Sequence, residues 1–142
     1  MGSNQNPATV VIVGAGSRGQ GYADFIHRNP DLGEVVAVAE PREFQRQKMA
    51  EKFDIPRENV FSDWKEIAEI EKVADVAIIA TQDQMHTEPA LALAKKGYHI
   101  LLEKPMAPTA DECKDIARAV EKNGSIFGVC HVLRYTPFTV KL

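Results

Sequence analysis

Cysteine is scarce in this sequence: there are two, Cys113 and Cys130. Neither falls in a CxxC or HxxxH spacing, so no disulfide framework and no metal site is expected, and a reduced, cytoplasmic protein is the simplest reading. Long apolar runs are missing as well. None approaches the ~20 residues that span a bilayer, and residues 1–8 lack the apolar stretch of a signal peptide. Asn6 stands where a myristoylation signal needs serine or threonine, so this stretch is expected to be a disordered leader. Nor does one sign of charge dominate. A formal net charge of -3 provides no polyanion-binding surface, so neither nucleic acid nor a membrane is an expected partner. No repeat, linker or low-complexity tract interrupts the remainder.

What is present is an alternation of elements. The 142 residues, 44% of them hydrophobic, suffice for one domain with its own core. Short apolar runs at Thr9–Val13, Val35–Ala39, Val76–Ala80, Tyr98–Leu102 and Ile126–Val129 read as strands, with a weaker one at Val60 and Phe61. Each is nearly continuously apolar, which implies cover on both faces, the habit of a parallel sheet flanked by helices. Between them, Cys113, Ile116, Ala117 and Val120 follow a helical stripe. Thr109 with Glu112 makes a capping box and Asn123-Gly124 a left-handed stop. Asp63 with Glu66 starts another helix, carrying Trp64, Ile67 and Ala68. A helix through Ala90, Leu91 and Ala94 ends at Gly97, and Tyr22, Phe25 and Ile26 give the first helix its buried stripe. The fold class expected is α/β: a doubly wound parallel sheet, one three-layer domain over residues 9–131, with 132–142 starting a connection to a further domain.

Gly14-Ala15-Gly16-Ser17-Arg18-Gly19 directly follows the first strand and opens the first helix. In that context the first glycine makes the tight turn, the second lets a pyrophosphate approach the backbone, and the third lets helix pack on strand. The helix N-terminus then faces the phosphates with unpaired N–H groups and a favourable dipole. Glu40 follows Gly19 by 21 positions, at the end of the second strand, where a carboxylate accepts hydrogen bonds from the adenosine ribose. A carboxylate there repels the 2′-phosphate of NADP, whereas Arg42 could attract it, so NAD is expected ahead of NADP. The plainer alternative is a tight turn beside a solvated Glu40, and the matched spacing argues against it.

Glu103-Lys104-Pro105 comes next to notice, at the carboxyl edge where open parallel sheets bind ligands. Glu103 could hold the nicotinamide-side ribose. Lys104, if part-buried, could have a lowered pKa suited to moving a proton from a substrate hydroxyl. Taken alone, such a pair reads as a solvated loop. With the glycine loop, Glu40-Pro41, Ala80-Thr81 followed by His86, and His131 through Pro137, the chain resembles the N-terminal domain of the Gfo/Idh/MocA oxidoreductases.

That resemblance implies a Rossmann fold, reversible oxidation of a sugar or cyclitol hydroxyl by bound NAD(P), and a second domain supplying most substrate contacts and an oligomer interface. It further implies that Lys104 contacts the reacting hydroxyl, that Glu103 binds the nicotinamide ribose, and that Thr81 and His86 line the cofactor cleft. Gln82 and Asp83 depart from the proline and asparagine common there. His131, in a place often taken by asparagine, is assigned to positioning cofactor or substrate. Arg134 and Tyr135 read more plainly as ion-pairing and packing residues, and Cys130 as an inert core thiol. Two other functions use the same dinucleotide: a redox-neutral hydrolase or lyase, and a non-catalytic sensor. The chain as given is expected to bind cofactor and turn over little.

Overall fold

A computed structural model describes residues 6–141. The strands are β1 (Ala8–Val13), β2 (Gly33–Ala39), β3 (Val60–Phe61), β4 (Val76–Ile79), β5 (His99–Glu103) and β6 (Phe127–Cys130). They pair in parallel in the order β3-β2-β1-β4-β5-β6. The helices are α1 (Ser17–His27), α2 (Glu43–Lys52), α3 (Trp64–Glu69), α4 (Thr87–Lys95), α5 (Ala110–Asn123) and α6 (Pro137–Val140). The expected leader falls mostly outside the described residues; its last member, Ala8, already pairs with Gly33. Leu142, the last residue of the expected connection over 132–142, also lies outside them.

Period-two alternation explains the three layers. Val11 and Val13 of β1 point into one core with Leu93, Ile116 and Val120, while Val10 and Ile12 point into the other with Ala23 and Met49. Thus α3, α4 and α5 cover one face and α1 and α2 the other. The register between β1 and β2 shifts between Val10 and Val11, which pairs Val35 and then Ala37 and leaves Val36 as the extra residue of a bulge.

Several local expectations need correction. On α1 the buried line is Gly19 and Ala23, with Tyr22 and Ile26 half-buried, and Phe25 is 53% exposed. The helix docks through its smallest residues, which turns Phe25 to the flank. On α5 Ala119 packs in place of Ala117 beside buried Ile116 and Val120, and Gly124 takes the left-handed stop at φ 63°. The capping box is complete at Asp63 and Glu66. At Thr109 it is half made: the hydroxyl accepts from the Glu112 N–H, but the Glu112 carboxylate accepts from the Thr109 and Thr87 hydroxyls instead of a backbone N–H. Helix α2 carries no stripe worth reading, because only Met49 and Ala50 are buried. β6 starts after Ile126, whose side chain is exposed.

Candidate functional site

β1 is followed by a helix on one face and its neighbour β4 by a helix on the other. The chain therefore parts at their carboxyl ends, where doubly wound sheets hold their ligands. A cleft of about 450 Å³ opens there, with Gly14, Gly16, Glu40, Arg42, Trp64 and Thr81 among its walls. That volume suits a small-molecule site.

Gly14 turns the chain out of β1 with φ 97°, a left-handed value that disfavours any side chain, and a Cβ there would lie 2.7 Å from the Ala80 carbonyl oxygen. Gly19 needs its missing side chain for closeness: a Cβ would sit 1.9 Å from the Gly14 carbonyl oxygen. Gly16 is looser, its nearest neighbour being Arg42 Nη2 at 3.7 Å from a notional Cβ. As the N-cap of α1, Gly16 has no side chain to satisfy the helix's first N–H groups, and exposed Ser17 opens the helix. The first turn carries no acidic residue, so its positive end faces the cleft uncompensated.

At the end of β2, Glu40 is 2% exposed and its carboxylate receives four donors. Oε2 accepts from the Ala15 N–H at 2.8 Å and Arg42 Nη2 at 3.0 Å; Oε1 accepts from the Arg42 N–H at 3.0 Å and Arg42 Nε at 2.8 Å. Burial alone would raise the Glu40 pKa, but the Arg42 guanidinium and the two N–H groups outweigh it and hold the carboxyl below its ordinary value. Sequence reasoning treated Glu40 as free for a ligand and Arg42 as a separate group. The structure joins them in a two-pronged ion pair, and the arginine side chain remains 60% exposed. Arg46, which no sequence signal singled out, donates to the Glu40 and Pro41 carbonyls and fixes this turn.

At the end of β5, Glu103 is also buried, and its partners come from across the sheet. Oε1 accepts from Arg18 Nε at 2.7 Å and from the Tyr22 hydroxyl, with Arg18 Nη2 in ion-pair contact at 2.6 Å. Oε2 accepts from the Lys104 N–H at 3.1 Å. Burial would raise this carboxyl too, yet the Tyr22 and Arg18 donors leave it below its ordinary value. Burial, with the Cys130 thiol and Glu103 beside it, pushes the Tyr22 phenol up. Burial likewise raises the Cys130 thiol, consistent with an inert role. Tyr22 lies one helical turn after Arg18 on the same face, a signal that sequence reasoning spent on core packing alone.

The other candidates are placed as follows. Lys104 is exposed, not part-buried, because β5 ends at Glu103 and the chain leaves the sheet at the Lys104–Pro105 peptide. His86 does not face the cleft: it is fully buried, with Nδ1 2.7 Å from the Pro105 carbonyl oxygen and Nε2 3.3 Å from that of Thr81. It ties the loop after β4 to the loop after β5, and Thr81 itself lines the cleft. His131 is exposed just past β6 and engages others through its backbone. Arg134 is exposed and takes part in no ion pair among the described residues; the side chain of Tyr135 lies outside them. Among the described residues no cluster of three His, Cys, Asp or Glu side chains could hold a metal, and no helix is long and apolar enough to cross a membrane.

Known proteins resemble this chain in sequence and in fold. The levoglucosan dehydrogenase of Pseudarthrobacter phenanthrenivorans is 31% identical over 135 residues, 90% of this chain and 34% of that protein. The 2,7-anhydro-N-acetylneuraminate hydratase of Mediterraneibacter gnavus is 29% identical over 125 residues, 88% of this chain and 32% of that protein. The chain thus spans about a third of the length of these relatives. Among solved structures, the WlbA dehydrogenase of Bordetella pertussis, in complex with NADH and UDP-GlcNAcA, superposes with a TM-score of 0.88 at 21% identity. That match covers 99% of this chain and 41% of the other. Residues 8–131 match the family described as "Oxidoreductase family, NAD-binding Rossmann fold". The chain therefore belongs to the Gfo/Idh/MocA oxidoreductase family, of which it carries the NAD-binding Rossmann domain.

Proposed function

We propose that the chain binds NAD along the carboxyl edge of its sheet and serves an enzyme that moves a hydride between the nicotinamide and a hydroxyl of a sugar, cyclitol or similar polyol. The observation that carries this reading is the buried Glu40 carboxylate set in one cleft with the uncapped N-terminus of α1. Together they offer an acceptor for ribose hydroxyls and donors for a pyrophosphate. Gly14, Gly16, Ser17 and Arg18 would hold the phosphates, Glu40 the adenosine ribose, and Thr81 the wall between the two halves. Arg42 must release a carboxylate oxygen before Glu40 can accept from the ribose; its side chain is exposed enough to swing aside, and the ribose hydroxyl would replace it as donor. The ionised carboxyl favours NAD, and Arg42 moderates the rejection of a 2′-phosphate.

Bound nicotinamide supplies the hydride acceptor or donor. Glu103 would accept from the nicotinamide ribose, and Lys104 would hold or pass the proton of the reacting hydroxyl, with His131 helping to position the ligand. Both Lys104 and His131 are exposed on this chain, so the chain alone binds cofactor and turns over little. A second domain would enclose them and supply the remaining substrate contacts; a homo-oligomeric, cytoplasmic enzyme is part of the same proposal. Calorimetric titration with NADH tests the reading, with one site per chain expected and loss of binding in Glu40→Ala. Heat from neither NADH nor NADPH would refute it. In the longer enzyme, net accumulation of NADH during turnover supports hydride transfer; an unchanged cofactor would point to the redox-neutral alternative.

A further inference from the structure

Glu103 is 5% exposed, and of its two carboxylate oxygens Oε1 is the crowded one. It accepts from Arg18 Nε and from the Tyr22 hydroxyl, whereas Oε2 accepts from a single backbone N–H. A carboxylate has about four lone-pair sites, two on each oxygen. The remaining acceptor capacity is therefore on Oε2 alone. Both donors on Oε1 come from α1, the helix that the glycine loop opens, and they reach Glu103 across more than eighty positions of sequence. Arg18 Nη2 also donates to the Tyr22 hydroxyl at 3.0 Å, so the three groups form a closed triangle.

We infer that Tyr22 is a positioning residue for the nicotinamide-side ribose: by holding Oε1 of Glu103, with Arg18, it leaves Oε2 as the acceptor for a ribose hydroxyl. The inference rests on the proposed cofactor reading and deepens it. Within the triangle Tyr22 is the steady member. Arg18 is 51% exposed and stands in the first turn of α1, beside the proposed pyrophosphate site, so a bound pyrophosphate can draw its guanidinium away from Glu103. Tyr22 is half-buried and its phenol, shifted up chiefly by burial, stays protonated and keeps donating. It thus keeps Glu103 oriented when the arginine is shared.

Three ligands of increasing length separate this role from a merely structural one. ADP reaches as far as the pyrophosphate, ADP-ribose adds the second ribose, and NADH adds the nicotinamide. In Tyr22→Phe, affinity for ADP-ribose and for NADH is expected to fall roughly tenfold, the scale of one hydrogen bond to a charged group. Affinity for ADP should change less than twofold. In a Glu103→Gln background, Tyr22→Phe should have no further effect on ADP-ribose, since its partner has already been altered. Equal losses for all three ligands, no loss for any, or an undiminished loss in the Glu103→Gln background would each overturn the inference while leaving the cofactor site intact. If the unaltered chain bound none of the three, the cofactor reading would fail and this inference with it.

Discussion

Glu40 and Glu103 are both buried carboxylates at strand ends, and each is paired with a half-exposed arginine. Arg42 comes from the same turn as Glu40, two positions on, whereas Arg18 and Tyr22 reach Glu103 from across the sheet. The ion pair of the first site is therefore built by local chain geometry once β2 ends, with the Ala15 N–H added from the glycine loop. The second exists only when α1 is docked correctly on β1, beside β4 and β5. Lys104, next to Glu103, is exposed, while the turn after Glu40 is fixed by nearby Arg42 and Arg46 and by the Ala15 N–H of the glycine loop. One end of the proposed path is complete in this chain, and the other is oriented but uncovered.

That contrast can be broken from the uncovered end. In an enzyme carrying the proposed second domain, Lys104→Ala should lower turnover by roughly 10²–10⁴-fold, the usual share of a group that moves a proton. ADP binding should be unchanged, because an exposed side chain outside the phosphate loop adds nothing to it. Steady-state kinetics with parallel calorimetry would read both; turnover near the unaltered level would remove Lys104 from the proton path. Gly19→Ala attacks the docking of α1 instead. Its Cβ would meet backbone, and the expected cost of about 3 kcal/mol should lower Tm by roughly 10 °C. In thermal melts an unchanged Tm would contradict the close packing of helix on strand.

The remaining two tests are finer. Arg42→Ala should weaken NADPH roughly tenfold relative to NADH, since it removes an exposed guanidinium beside Glu40 that could meet a 2′-phosphate and leaves Glu40 ionised. An unchanged NADPH/NADH affinity ratio would mean that Arg42 does nothing beyond pairing with Glu40. Acid should act on both ends at once. Glu40 and Glu103 have carboxyls held below the ordinary value, so their contribution to stability is full above about pH 4.3 and is lost as pH falls through the folded-state values. Denaturant titrations from pH 6 downward should show this loss, and Glu40→Gln should flatten part of it. A stability profile that stayed level on acidification would contradict both pairings.

Much of this was legible beforehand for a simple reason. Doubly covered strands leave continuous apolar runs, and the glycine turn with its spaced carboxylate is a local pattern; β1, β2, β4 and the Gly14–Glu40 end could be read directly. What escaped depends on contacts between distant segments. Helix α2 buries too little to show a stripe, and Arg46 acts through carbonyls that no side-chain motif records. Tyr22 was read as core because its spacing fits a stripe, yet its hydroxyl is committed to Glu103. His86 looked like a cleft residue by position, and only the approach of the Pro105 carbonyl shows it tying two loops together. Exposure of Lys104 could not be read either, since it depends on where β5 ends and what covers the edge.

The Glu40 cradle and the open end of α1 are expected to receive one dinucleotide between them. Titration calorimetry of the chain with NADH, repeated in the presence of excess ADP, tests this directly. The expected result is one site per chain, with the NADH heat suppressed by ADP because both need the same adenosine and phosphate contacts. Absence of heat from NADH, or NADH binding that excess ADP leaves untouched, would contradict it.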